Sequence, residues 1–216
     1  VEGKRILHLQ CHFGQDTISL SRMGADVTGI DFSEKAILKA KELNNNESTE
    51  TRFICCDIYD LQKKLNEKVD IIYASYGTIG WLPDLDKWAK IISTLLKPEG
   101  KLIFVEFLPF VWMFDDEFKF IENSYFNIGP IISQAQGTYA DREADISQEY
   151  VWWDHSISDV LMNLLKNSIE LESFKEYNYS PYPCFKNVEE EEPKRFRIKH
   201  LGKKIPMVYS LVGRKK

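Results

Sequence analysis

No run of some 18 apolar residues occurs in this 216-residue sequence, and no basic start followed by a short apolar stretch opens it. The sequence therefore predicts neither a helical membrane span nor a secretory leader. Cysteine is scarce: Cys11, Cys55, Cys56 and Cys184 make no disulfide framework for a chain this long, which points to a reduced, cytoplasmic setting. Positive charge is in the minority, with 28 Lys and Arg against 33 Asp and Glu and a net charge of -5. That balance argues against a phosphate-binding surface and hence against nucleic acid as partner. The basic "GRKK" and the acidic run at 189–192 are too short to alter this and read as solvated surface. Repeats and low-complexity linkers are lacking too, so a single domain over 1–216 is expected. The chain starts at Val1, without Met and only a few residues before its first strand-like run, so a missing preceding segment is also an expectation.

What is present is an alternation of strand and helix patterns. "RILHL" (5–9), "DVTGID" (26–31), "TRFICCD" (51–57), "VDIIYAS" (69–75) and "KLIFVEF" (101–107) read as buried strands. Between them, 16–23 reads as a helix closed by Gly24. Ser33 caps a helix carrying Ala36, Ile37, Ala40 and Leu43 on one face, and Leu85, Trp88, Ile92, Leu95 and Leu96 stripe another that stops at Pro98 and Gly100. Such alternation implies right-handed crossovers and a doubly wound α/β sheet with helices on both faces. Ligands of such sheets bind beyond the carboxyl ends of the strands, here 8–16, 31–33, 57–59, 75–81 and 106–112. Further along, 131–153 reads as an excursion with one or two strands. Ser156 and Asp159 suit the cap of a helix marked by Ile157, Val160, Leu161, Leu164 and Leu165, and 168–177 and 205–214 read as two last strands joined by a Pro- and Glu-bearing connection.

The stretch "HLQCHFGQD" (8–16) is ambiguous at first sight, because His8, Cys11 and His12 are spaced like half of a metal site. A structural zinc site wants four ligands in paired short spacings, and Cys55, Cys56, His155, Cys184 and His200 offer no second pair. No metal is expected. A strand-to-helix loop instead presents free backbone N–H groups to a nucleotide-like ligand. Asp31, ending the next strand some twenty residues on, is placed for the two hydroxyls of a ribose, the alternative being that it begins the cap of helix 34–43. The G-x-G-x-x-G needed for close approach of a pyrophosphate is missing, and His12 would obstruct one.

"RILHLQCHFGQDTISLSRMGADVTGIDFSEKAI", "CCDIYD" and "DIIYASYGTIGWLPD" followed by "LLKPEGKLIFVEF" resemble the successive motifs of class I S-adenosylmethionine-dependent methyltransferases. The resemblance runs over about 5–107 and more weakly to the end. It implies a Rossmann-like seven-stranded sheet, mostly parallel, with "IPMVYSLVGR" as an antiparallel last strand. It implies a cofactor-binding half over about 1–107 and an acceptor-side half over 108–216, including an inserted segment at about 112–153. Asp31 would take the ribose-binding role, Asp57 would accept from the adenine amino group and Ile58 would line the ring. The expected cofactor-binding set is His8, Gln10, Cys11, Gly14, Asp16, Asp31, Phe32, Asp57, Ile58 and Ser75. The chain departs from the family where it has His8 in place of the usual acid, and Gln10 and His12 in place of glycines; Gly14 remains. Backbone carbonyls near Gln10 and Ala74, with Asp16 as charge partner, are the expected neighbours of the methionine end. His8 and His12 are expected as packed or hydrogen-bonded loop residues.

The resemblance implies transfer of a methyl group from S-adenosylmethionine to a small-molecule acceptor, with S-adenosylhomocysteine as product. Tyr76 and His155 are the candidate catalytic residues by residue type, and Glu106 is a candidate to orient a substrate amine or hydroxyl. The aromatic stretches "YGTIGWLP", "FLPFVWMF" and "YVWWDH" are candidates for the acceptor pocket, or for core and lid. Two other readings stay open: a cofactor-binding protein without turnover, and an NAD-dependent reductase on a similar sheet.

Overall fold

The computed structural model describes residues 1–47, 50–136, 145 and 147–216. Residues 137–144 and 146 of the expected excursion lie outside the described residues. In chain order the elements are β1 (Arg5–His8), α1 (Gln15–Arg22), β2 (Asp26–Asp31), α2 (Glu34–Glu47), β3 (Arg52–Cys55), β4 (Val69–Ser75), α3 (Leu85–Leu95), β5 (Leu96–Phe107), α4 (Pro109–Trp112), β6 (Ile131–Gln136), β7 (Ser147–Trp152), α5 (Ile157–Lys166), β8 (Ile169–Tyr177), β9 (Val188–Glu192), β10 (Arg195–Ile198) and β11 (Val208–Lys215). Seven strands form one sheet in the order β3-β2-β1-β4-β5-β11-β8. β11 runs antiparallel to both of its neighbours, and the remaining pairs are parallel. This is the expected Rossmann-like sheet with its antiparallel last strand. Strand order reverses between β1 and β4, so the loops leaving those two strands meet at one point of the carboxyl edge.

The caps explain why the helices start where they do. Ser33 Oγ accepts from Ala36 N (3.2 Å), Asp84 Oδ1 from Lys87 N (2.9 Å), and Ser156 with Asp159 forms the reciprocal capping box of α5. The apolar stripe of α3 is buried, and Trp88 packs on Phe104 (5.4 Å between ring centres), which in turn meets Tyr209 (5.7 Å). The sheet's central strands thus share one core with α3 and α5.

One region matches expectation and one differs from it. The excursion forms an antiparallel hairpin, with β6 paired to β7 from Ile131↔Trp152 to Gln136↔Ser147. The Pro- and Glu-bearing connection holds a second hairpin, β9–β10, in which the acidic run is itself a strand. Its pairing is charge-based: Arg197 bonds Glu191 (2.7 Å) and Arg195 bonds Glu192 (2.6 Å). Apolar periodicity, the usual strand signal, has nothing to register in such a sequence.

Candidate functional site

Residues 9–14 leave β1 and are tied to both neighbouring strands. Leu9 N donates to Tyr73 O (2.9 Å) and Cys11 N to Ile30 O (2.8 Å). His12 N donates to Asp31 Oδ2 (2.8 Å), while Ser33 N donates to Asp31 Oδ1 (2.9 Å). Asp31, half-buried at the end of β2, therefore pins the loop and still keeps lone pairs for a ligand. Gln10 (φ 51°) and His12 (φ 50°) take left-handed conformations that cost side-chain-bearing residues about 1–2 kcal/mol each. Gly14 (φ 71°) has no substitute: a Cβ there would lie 2.6 Å from the Phe53 ring.

Some expected site residues point away from the loop's outer face. His8 is 3% exposed, its Nδ1 is 2.7 Å from Thr17 Oγ1, and its ring lies 4.8 Å from Tyr73. Burial holds its pKa at about 3, so the imidazole is neutral and does not reproduce the acid usual at this position. Cys11 is buried among Ile18, Ile37, Ala40 and Phe53, which pushes its thiol to about 12, out of the reactive range. Ile58 belongs to the main core, so its side chain does not line an outer surface. The His12 ring packs at a tilt against Phe13 (3.7 Å between ring centres). His8, Cys11 and His12 thus do not converge, and among the described residues no group of three His, Cys, Asp or Glu side chains is placed to hold a metal.

Other expected residues do face the carboxyl edge. Phe32, beside Asp31, is 78% exposed. Asp57 is exposed and caps the turn Ile58–Lys63 by accepting from Tyr59 N (2.8 Å). Asp16 stands in the first turn of α1; burial, with the Asp16 carboxylate nearby, raises the Tyr73 hydroxyl against the lowering influence of Ser75. That places Asp16 and Ser75 both close to the Tyr73 hydroxyl.

The loop leaving β4 is organised by one buried carboxylate. Glu106, 2% exposed, accepts from Gly77 N, Thr78 N (2.7 Å), Thr78 Oγ1 (3.1 Å), Ile79 N (3.3 Å) and Phe107 N (2.7 Å). Burial raises its pKa and these N–H groups oppose the rise. Its role is to shape this loop, whereas the sequence suggested direct orientation of a substrate. Tyr76 (φ 50°) and Gly77 (φ 74°) make the left-handed turn that points the N–H groups inward. Thr78 O then accepts from Gln10 Nε2 (2.8 Å), joining the β4 loop to the β1 loop. A carbonyl can only accept, so this bond fixes the amide's orientation. Gln10 Oε1 is left buried with no partner among the described residues.

The two candidate bases differ in state. Burial, with Tyr73 and Asp16 nearby, pushes the Tyr76 hydroxyl up to about 12, and its ring packs on Tyr182 (5.7 Å) and Phe107 (6.1 Å). At neutral pH it is a hydrogen-bond donor. His155 Nε2–H donates to Leu82 O (2.7 Å), and its Nδ1 lies 3.5 Å from Asn127 Nδ2. Burial lowers its pKa, so it is a neutral strut between the β6–β7 hairpin and the β4 loop. Its neighbour Asp154, which sequence reasoning passed over, is 2% exposed with Oδ2 unpartnered, and burial pushes it up to about 7. No sequence signal distinguishes it, since an Asp just ahead of a capped helix usually lies in water.

The edge so assembled suits S-adenosylmethionine. Asp31 has spare acceptor sites for ribose hydroxyls, Phe32 offers a bare ring, and Asp57 is open to an amino group. Gln10 Oε1 lacks the donor that an ammonium group would bring, and a Cβ built on Gly77 would meet nothing within 4 Å.

Known proteins agree with this reading. A methyltransferase domain matches residues 6–100. A ubiquinone biosynthesis O-methyltransferase of Coxiella burnetii is 34% identical over 104 residues, 48% of this chain and 44% of that protein. The chain thus spans under half the length of this relative. An S-adenosylmethionine-dependent methyltransferase from Clostridium acetobutylicum superposes with a TM-score of 0.67 at 17% identity, covering 98% of this chain and 83% of the other. One from Mesorhizobium loti gives 0.65 at 18%, covering 100% and 92%. At such identities these structures speak for the fold alone. A match to a methyltransferase domain over β1 to the start of β5, on a sheet completed by the antiparallel β11, makes this chain similar to the class I S-adenosylmethionine-dependent methyltransferases in its fold and in the first half of its sequence.

Proposed function

We propose that the protein binds S-adenosylmethionine at the β1–β4 switch point and transfers its methyl group to a small-molecule acceptor, releasing S-adenosylhomocysteine. The observation that carries this reading is Gln10: its amide is fixed by Thr78 O, and its carbonyl oxygen is buried without a donor among the described residues. An ammonium group supplies that donor, and Gln10 then takes the place of the acid that His8 has replaced. Asp31 accepts from the ribose hydroxyls, Asp57 from the adenine amino group, and Asp16 lends charge near the methionine end. The bound cofactor supplies an electrophilic methyl on a sulfonium. What the chain adds is alignment, with Glu106 holding the β4 loop and Tyr76 placed where an acceptor approaches.

The relative named for O-methylation makes a hydroxyl the first acceptor class to test. The net charge of -5 favours a small molecule over nucleic acid. A cytoplasmic setting is part of the same proposal. Calorimetric titration of S-adenosylhomocysteine into wild type and Asp31→Ala tests it. Losing a charged hydrogen bond worth about 1.5–3 kcal/mol should weaken binding about ten- to a hundredfold. Absence of binding to wild type sinks the proposal. NADH binding in its place supports the reductase reading, which the side chains of Gln10 and His12 in the loop oppose.

A further inference from the structure

A cavity of about 350 Å³ opens at the carboxyl edge, between the end of β8 and the turn that leads into β11. Glu176, Tyr177, Asn178 and Tyr179 line one side, and Lys203 and Lys204 line the other. Both sides are fastened to the sheet: Met207 N donates to Tyr177 O (2.8 Å), and Leu108 N donates to Met207 O (2.9 Å). Val208 pairs with Phe107 and with Tyr177, so the cavity lies two strand spacings, about 10 Å, from the end of β5. The Phe107 ring there packs on Tyr76. Burial first, then Tyr73 and Asp16, then Tyr179 and Tyr177 raise the Tyr76 hydroxyl, so the cavity's two tyrosines stand near the residue beside which an acceptor would approach.

The lining holds donors that lack acceptors. Arg197, buried in β10, donates to Glu191 Oε2 (2.7 Å) and to Asn178 Oδ1 (3.2 Å). A guanidinium only donates, so Asn178 Oδ1 is occupied and Nδ2 is the end of the amide left to bind a ligand. Among the described residues Asn178 Nδ2 meets no acceptor, and Lys203, Lys204 and Glu176 form no ion pair. Two ammonium groups against one carboxylate leave one net positive charge, in a chain whose own net charge is -5. A larger cavity of about 850 Å³ at the opposite edge has its cations matched instead: Arg214 bonds Glu99, Glu170 and Glu172, and Lys101 bonds Glu172.

We infer that this cavity binds a carboxylate carried by the methyl acceptor, at the end remote from the atom that takes the methyl group. The inference rests on the methyltransferase reading. Lys203 and Lys204 supply charge, and the Asn178 amide supplies a directed N–H donor. Glu176 limits the site to a single negative charge, which a carboxylate matches and a phosphate dianion exceeds. Each lysine stands in water, so either pair alone is weak. Their combination on one group, with Asn178 already oriented by Arg197, gives the site its preference. The acceptor is thereby a hydroxy acid whose two functional groups lie about 10 Å apart.

The test uses 4-hydroxycinnamate, a rigid hydroxy acid, and its neutral amide, each titrated into the full chain saturated with S-adenosylhomocysteine and followed by amide NMR. The acid should bind about tenfold more tightly than the amide and move the resonances of the Asn178 side chain, Lys203 and Lys204. The double variant Lys203→Gln, Lys204→Gln should lose that advantage and bind S-adenosylhomocysteine as wild type does. Glu176→Gln should act in the opposite direction, tightening the acid and not the amide, an effect that a merely structural role would not produce. All three side chains are exposed, so these substitutions leave the core untouched. Equal affinities for acid and amide in wild type overturn the inference. So does failure of the loaded wild type to bind the acid, movement of resonances elsewhere only, or an advantage that survives the double variant. Inorganic phosphate binding at the same resonances more tightly than the acid overturns the choice of a carboxylate. Failure of wild type to bind S-adenosylhomocysteine at all instead overturns the methyltransferase reading beneath it.

Discussion

The loops after β1 and β4 meet at one point but are built by opposite means. The β1 loop is held by a carboxylate at the rim: Asp31 takes His12 N and Ser33 N while remaining half-exposed. The β4 loop is held from below by Glu106, which is sealed in the core and gives its oxygens to four backbone N–H groups and a hydroxyl. A rim carboxylate can serve a ligand as well as the loop, whereas a buried one is committed to the loop alone. The difference separates residues that bind from residues that position.

Removing Glu106 should break the comparison most severely. Glu106→Ala orphans buried donors at 77–79 and 107, for which a loss of roughly 3–5 kcal/mol is expected in chemical unfolding. Asp31→Ala, at the rim, should cost far less stability and act mainly on ligand affinity. Equal losses in the two variants would abolish the distinction. Gly14→Ala comes next, at about 2–4 kcal/mol, because the added methyl meets Phe53 and the left-handed φ adds strain. Its effect should appear both in Tm and in S-adenosylhomocysteine binding.

A pH series sharpens the contrast on the acceptor side. Asp154 ionises near 3.8 when unfolded and at about 7 when folded. As pH rises through that window the unfolded chain releases its proton first, so stability falls, and the loss is complete above pH 7. Asp154→Asn should therefore raise stability above that pH, by on the order of 2 kcal/mol once solvent screening is allowed for, and leave it unchanged in acid below the window. The smallest effect expected is that of Gln10→Ala: about tenfold weaker S-adenosylhomocysteine binding with little change in Tm. A large drop in Tm there would mean that the Gln10–Thr78 bond holds the two loops together rather than presenting an acceptor to a ligand.

Much of the cofactor side was legible in the residues themselves. Parallel strands joined by capped helices follow from local patterns, so Ser33, Asp31 and the strand ends could be placed by spacing alone. The acceptor side was not, because its contacts join residues far apart in sequence. Nothing near Asp154 announces that Gly80 and Leu82 will close over it, and nothing in Glu189–Glu192 announces a strand until Arg195 and Arg197 lie opposite. His8 shows the same limit from the other direction: a His in a binding loop invites a functional role, and burial against Thr17 and Tyr73 withdraws it.

By itself, then, the sequence determined the doubly wound sheet, the strand ends and the acid at the end of β2, since these depend on periodicity, caps and turns within a few residues. Only the tertiary structure decided which polar atoms end up satisfied. Gln10 and Asp154 are ordinary polar residues on paper. They become distinctive because distant segments remove them from water without supplying a partner, and burial of an unpaired polar atom arises only when the whole chain has packed.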